Sequence, residues 1–144
     1  MADVHYKAGP YAQRFPRGLD AHIAYLDWEK DFPIIDSYYR EAFGISDLLP
    51  VYPDDFEHVK TVAYLCNQKI VSLAVIMKVR EGELEIGAVS TKPSERRKGC
   101  CKAVLRGAIH WISQHGFPAA LTTGQDNLPM QKAAESVGMV RSDA

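Results

Sequence analysis

The 144-residue chain has too few cysteines, and too oddly placed, for a disulfide framework. It carries three, Cys66, Cys100 and Cys101; two are adjacent and no CxxC occurs. That argues against cross-linked extracellular scaffolds and structural zinc sites, and fits a reducing cytoplasm. Charge of either sign is also scarce in net terms. Formal net charge is −1, so nothing global draws the chain to nucleic acid or to an anionic membrane. No apolar run approaches the ~20 residues a membrane-spanning helix needs. Met1 to Pro10 lacks the apolar stretch of a secretory signal. Repeats and low-complexity tracts are missing. The five histidines (His5, His22, His58, His110, His115) show no metal-ligand spacing, so no metal site is expected. Neither the Walker pattern GxxxxGK[ST] nor the dinucleotide fingerprint GxGxxG occurs.

What remains suits one packed core. Hydrophobic residues make up 47% and charged residues 24%, and the length is that of one domain, residues 1–144. Residues 1–20 carry Gly9, Pro10, Pro16 and Gly18, and read as an irregular extension. Ala21 to Trp28 reads as a first strand. Asp31 can cap a helix with Pro33 in its first turn; Ile35, Tyr38, Tyr39, Ala42 and Phe43 follow at helical spacing, and Gly44 can end it. Leu48 to His58, with two prolines and several acids, reads as a loop or a broken helix. The apolar runs Lys60–Cys66 and Ile70–Val79 are strands joined by a turn at Asn67-Gln68-Lys69. Both faces of these runs are apolar, as in a central sheet covered on both sides. Glu81-Gly82 turns the chain into a third strand, Glu83–Thr91. Gly99–His115 is an amphipathic helix with Cys101, Leu105, Ala108 and Ile112 on one face, and Gly116 stands where it should stop. A short strand, Ala119–Thr123, leads to a final helix capped by Asn127, running to Val137 and ended by Gly138. The order predicts a mixed α/β domain.

Chemistry concentrates where strand Glu83–Thr91 runs through the loop Lys92–Lys98 into the helix opening at Gly99. A helix N-terminus presents unsatisfied N–H groups and a positive dipole end, so an anion can rest there. Gly99 lets a phosphate approach the backbone, and Arg96, Arg97, Lys98 and Lys102 surround the place with positive charge. A pyrophosphate held mostly by backbone is implied. The alternative for the same residues is a turn glycine beside a solvated basic loop. Cys100 and Cys101, beside a helix N-terminus, could carry a lowered thiol pKa and act as nucleophiles. Small packing residues are the simpler reading.

The stretch AVSTKPSERRKGCCKAVL resembles motif A of the GCN5-related N-acetyltransferases (GNAT), [QR]-x-x-G-x-[GA] after a strand. It stands here as Arg96-Arg97-Lys98-Gly99-Cys100-Cys101, with cysteine in place of the last Gly or Ala. Pro93 matches a common choice of that family. NLPMQKAAESVGM, Asn127 to Met139, resembles the motif that follows, with Gly-Met for the usual Gly-Phe. The resemblance spans roughly Lys60 to Met139. It implies a largely antiparallel central sheet flanked by helices, with a strand that bulges and splays from its neighbour to take the pantetheine arm of acetyl-CoA. Val89, Ser90 and Thr91 would line that arm, backbone N–H groups from Arg97 through Lys102 would hold the pyrophosphate, and Asn127 would help place the thioester.

The implied reaction is attack of a primary amine on the thioester carbonyl. It needs a proton acceptor and polarisation of the carbonyl. Glu83 is the first candidate base, at the position the histone-type members give their catalytic glutamate; Glu85, on the same face by strand alternation, is the alternate. Asp54, Asp55 and Glu57 form an acidic cluster in a loop that often shapes acceptor binding in the family, with a solvated loop as the plainer explanation. Two departures stand out. Many members carry a tyrosine general acid four residues before the final glycine, and that position is Ala134 here. The sequence also ends five residues after Met139, where the family continues with two more strands. The expectation is an edge or gap there, filled by the N-terminal segment or by another subunit, which would make a homodimer. An acyl-CoA-binding sensor or partner-binding module without catalysis is the alternative function.

Overall fold

The computed structural model describes residues 3–8, 20–44 and 57–142. Its frame is one seven-stranded sheet: β1 (Asp3–Ala8), β2 (Ile23–Leu26), β3 (Glu57–Cys66), β4 (Lys69–Lys78), β5 (Leu84–Thr91), β6 (Ala119–Gly124) and β7 (Met139–Arg141). Spatial order is β2-β3-β4-β5-β6-β1-β7. Among the described residues only β5 and β6 run parallel, and the other pairs are antiparallel. The parallel pair follows from its connection, the helix α2 (Cys100–Gln114), since parallel neighbours need a crossover. Helix α1 (Phe32–Phe43) covers one face, and α2 with α3 (Leu128–Ser136) the other.

Side-chain alternation fixes which residue meets which layer. On the α2 face, Val62, Ala74, Ile76, Leu84, Ile86 and Leu121 pack against Val104, Leu105, Ala108, Ile109 and Ile112. On the α1 face, Ala63, Leu73 and Val75 meet Ile35 and Tyr38. A β3–β4 hairpin turns at Asn67 and Gln68, both at positive φ (51° and 66°), the pairing of left-handed residues that a two-residue turn demands. Gly44, at φ +69°, ends α1 as expected.

Three expectations are corrected in detail. Residues 3–8 are a strand, not irregular chain: the breakers start only at Gly9, and Val4 and Tyr6 are buried while His5 and Lys7 face outward. Asp31 stands at the start of α1 but its carboxylate does not cap it; Oδ2 accepts instead from the Asp27 backbone N–H at 2.9 Å. Strand β3 starts at Glu57, three residues earlier than its apolar run suggests. Asp54 and Asp55 lie outside the described residues.

The sheet beyond β6 is completed by β1. It pairs antiparallel with β6 from Asp3↔Gly124 to Lys7↔Ala120, and its far side pairs with β7. Tyr6 fixes it from within the core by donating to Glu135 Oε2 at 2.6 Å.

Candidate functional site

Strand β5 carries the main irregularity of the sheet. Leu73 faces Ser90 and Val75 faces Gly87, so Ala74 of β4 stands opposite two residues, Ala88 and Val89. This is a β-bulge, with Ala88 at φ +48°. On its other side β5 pairs with β6 only at Leu84↔Ala119, Glu85↔Ala120 and Ile86↔Leu121. Beyond Ile86 the two strands part, and β6 continues with β1 alone.

The open half of β5 is anchored from behind. Ser72 Oγ donates to the Ser90 carbonyl at 2.8 Å and lies 2.9 Å from Thr91 Oγ1. Tyr38 of α1 meets Ser90 Oγ at 2.7 Å. Burial pushes the Tyr38 phenol up to about 12, against the Ser90 hydrogen bond, which favours the ionised form. The Lys92 N–H donates to the Val71 carbonyl at 2.8 Å, and a single 3-10 turn, Pro93–Glu95, follows.

The chain then enters α2 through two left-handed residues, Arg97 (φ +67°) and Gly99 (φ +83°). No side chain caps the helix. The amides of Cys100, Cys101 and Lys102 are first-turn donors without an intrahelical acceptor. Nothing lies within 4 Å of where a Cβ on Gly99 would stand, so the space before these amides is open. Arg96 is held over the loop by an Nε–H bond to the Thr91 carbonyl at 3.3 Å, and Lys98 pairs with Glu95 at 2.8 Å. Cys100 is buried and Cys101 partly so. Burial pushes both thiols up, which disfavours thiolate at either position.

Glu83 and Glu85 share a second feature, an open cavity of about 210 Å³ on the α1 face. Glu83 precedes β5 and is 14% exposed; Oε2 pairs with Lys7 of β1 and Oε1 lies 3.5 Å from Arg80 Nε. Both of its oxygens are engaged. Glu85 lies one rung nearer the parting and makes no ion pair among the described residues. His5 and Lys7 line the same cavity, with Thr122. Sequence reading missed both β1 residues. The available signal was the alternation of Val4 and Tyr6 with His5 and Lys7. Asn127 stands at the start of α3, where Oδ1 accepts from the Met130 N–H at 3.3 Å. Ala134, at the position of the family's tyrosine, is fully buried.

Among the described residues, no group of three His, Cys, Asp or Glu side chains could hold a metal ion, and no helix is long and apolar enough to cross a membrane.

Comparison with known proteins bears on this geometry. A search of the curated proteins found no match. Among solved structures, a GNAT-family acetyltransferase from Novosphingobium aromaticivorans DSM 12444 superimposes with a TM-score of 0.71 at 18% identity, over 97% of this chain and 59% of that one. AAC(6')-Iy, solved with the bisubstrate analogue CoA-S-monomethyl-acetylneamine, gives 0.63 at 14% identity over 86% and 95%. The ribosomal-protein-S18-alanine N-acetyltransferase of Escherichia coli gives 0.61 at 18% identity over 81% and 75%. The Novosphingobium protein and four further solved relatives of this fold are longer proteins, of which this chain spans 48% to 59%. Such identities establish the fold alone. The acetyltransferase (GNAT) family model matches residues 22–139, most of the sequence, and the chain belongs to that family.

Proposed function

We propose that this single domain is an acetyl-CoA-dependent N-acetyltransferase acting on a primary amine. The observation that carries the reading is the continuity of β5: it bulges at Ala88, parts from β6 after Ile86, and leads directly to the unaccepted amides at Gly99–Lys102. A thioester arm fits beside Val89, Ser90 and Thr91, and a pyrophosphate fits the loop under Arg96, Arg97 and Lys98. The open space over Gly99 supports the fit, because it leaves donors approachable. That AAC(6')-Iy was solved with a CoA-based bisubstrate analogue supports the choice of CoA. The Asn127 amide nitrogen, free of the capping bond made by Oδ1, would contact the arm.

For the base we favour Glu85 over Glu83. Glu83 is occupied by Lys7 and Arg80, and its role is to tie β1 and the β4–β5 turn to the sheet. Glu85 is uncommitted, lies nearer the parting, and takes the ammonium proton directly or through one water. Thiols at Cys100 and Cys101 pack the loop.

The test is a calorimetric titration with acetyl-CoA, followed by a screen of primary amines. Saturable binding and amide formation are expected. Glu85→Gln should keep acetyl-CoA affinity and lose at least tenfold in kcat. A Glu85→Gln variant that turns over like the parent sinks the assignment of the base. The buried Ala134 favours a second reading, an acyl-CoA-binding module without catalysis; saturable binding with no amine acetylated would select it.

A further inference from the structure

A departing thiolate needs a proton, and the helix position that supplies a tyrosine elsewhere in the family is a buried alanine here. Within the proposed acetyl transfer, on which this inference rests, the structure assigns the missing proton transfer to His5. Strand β1 places it. Along the α1 face, Glu85 of β5, Ala120 of β6 and Lys7 of β1 share one rung. The next rung on that face is Thr122 with His5, the first beyond the parting of β5 and β6. The residue of β5 level with them is Gly87, whose missing side chain leaves room for the Met77 tip.

The ring is oriented. His5 Nδ1 lies 2.8 Å from Thr122 Oγ1, and Nε2 has no partner among the described residues. With its proton on Nδ1 given to Thr122, the neutral imidazole presents the Nε2 lone pair to the cavity it shares with Glu85. The charged groups around this ring are Asp3 and Lys7 on its own strand, Glu83 and Glu85 at the start of β5, and Arg80 of the preceding turn; β6 contributes none. Tyr6 is no substitute, because its hydroxyl points to the other face and is committed to Glu135.

Protons then balance. The substrate ammonium loses one proton to Glu85 and its nitrogen attacks the thioester carbonyl. As the C–N bond forms, the second proton passes from nitrogen to His5 Nε2. As the C–S bond breaks, Nε2 returns it to sulfur, and amide and thiol leave. Glu85 releases its proton to water.

The test compares the full-length protein with His5→Gln, whose amide can still bond Thr122 but cannot titrate, and with Thr122→Val. Primary amines that the parent acetylates serve as acceptors. For His5→Gln, kcat should fall at least tenfold with acetyl-CoA affinity and melting temperature kept. The pH–rate profile should lose the limb an imidazole contributes. Thr122→Val should give a smaller loss and keep that limb. In the parent, the His5 ring resonance should shift on adding CoA and stay put with desulfo-CoA, which lacks the sulfur. A purely structural role for β1 would lower melting temperature and turnover at every pH alike. That result, or a ring resonance unmoved by bound CoA, overturns the assignment while leaving the transferase intact. A folded protein that binds no acetyl-CoA overturns both.

Discussion

Replacing Gly99 by asparagine and by aspartate separates backbone strain, bulk and charge at the loop. Gly99 has φ +83°, a conformation Asn and Asp tolerate better than other side chains, so strain should cost about 1 kcal/mol or less in both variants. A Cβ there meets nothing within 4 Å, so neither side chain collides with the protein. Their stabilities should therefore fall close together. Binding should not. The two side chains have nearly the same shape and differ by one charge, so any difference in acetyl-CoA affinity reports the charge of what lies over the loop. A carboxylate about 5 Å from a doubly charged pyrophosphate in a water-like dielectric is disfavoured by about 1.7 kcal/mol, or about fifteenfold in affinity. The gap should be wide at about 0.01 M salt and nearly vanish at about 1 M, where the Debye length drops to about 3 Å. Paired calorimetric titrations with urea unfolding as the stability control measure all three. Equal affinities for Asn and Asp at low salt, with both proteins folded, refute the placement of phosphate at Gly99.

Other substitutions test the scaffold behind the site. Gly87→Ala puts a Cβ onto Met77 Cε, so the Met77 tip must move at a cost of about 1–2 kcal/mol; Met77→Leu should relieve most of it, and an additive double-mutant cycle in urea refutes the contact. Tyr6→Phe removes the hydroxyl bonded to Glu135, an exposed carboxylate that water can reclaim, so the loss should be about 1 kcal/mol in urea unfolding. Raising the Tyr38 phenol from 10.0 to about 12 favours the fold only while the phenol stays neutral in both states. That contribution is complete below pH 10 and disappears as pH climbs toward 12, and Tyr38→Phe should flatten this part of the stability–pH curve.

Much of this architecture was legible because period and punctuation agree. The core face of α2, the β3–β4 hairpin, the Asn127 cap and the glycine stop of α1 each follow from local rules, and each stands where spacing puts it. Strand β1 left only a short alternation as its signal, for a physical reason. Its partners β6 and β7 begin more than a hundred residues later, and a six-residue strand with two buried side chains is stabilised by that distant pairing rather than by its own propensity. The same holds for Asp31. Capping potential was visible, but the competing Asp27 N–H could not be placed until the chain folded back.

Site residues divide along the same line. The proposed phosphate loop is a contiguous stretch, so residues 96–102 could be read as a unit, and the structure adds their left-handed entry at Arg97 and Gly99. The two acids are contiguous as well, but sequence cannot rank them. What separates Glu83 from Glu85 is Lys7, seventy-six residues away, together with Arg80 of the same turn. One carboxylate is ion-paired and the other, two residues on along the same face, makes no ion pair among the described residues; the proposed mechanism gives the second the reactive role. The strand that pairs with the first also brings His5 to the cavity that the second lines. Any substitution that unseats β1 should therefore disturb stability and proton transfer together, whereas changes confined to the Gly99 loop should leave proton transfer untouched and act mainly on affinity.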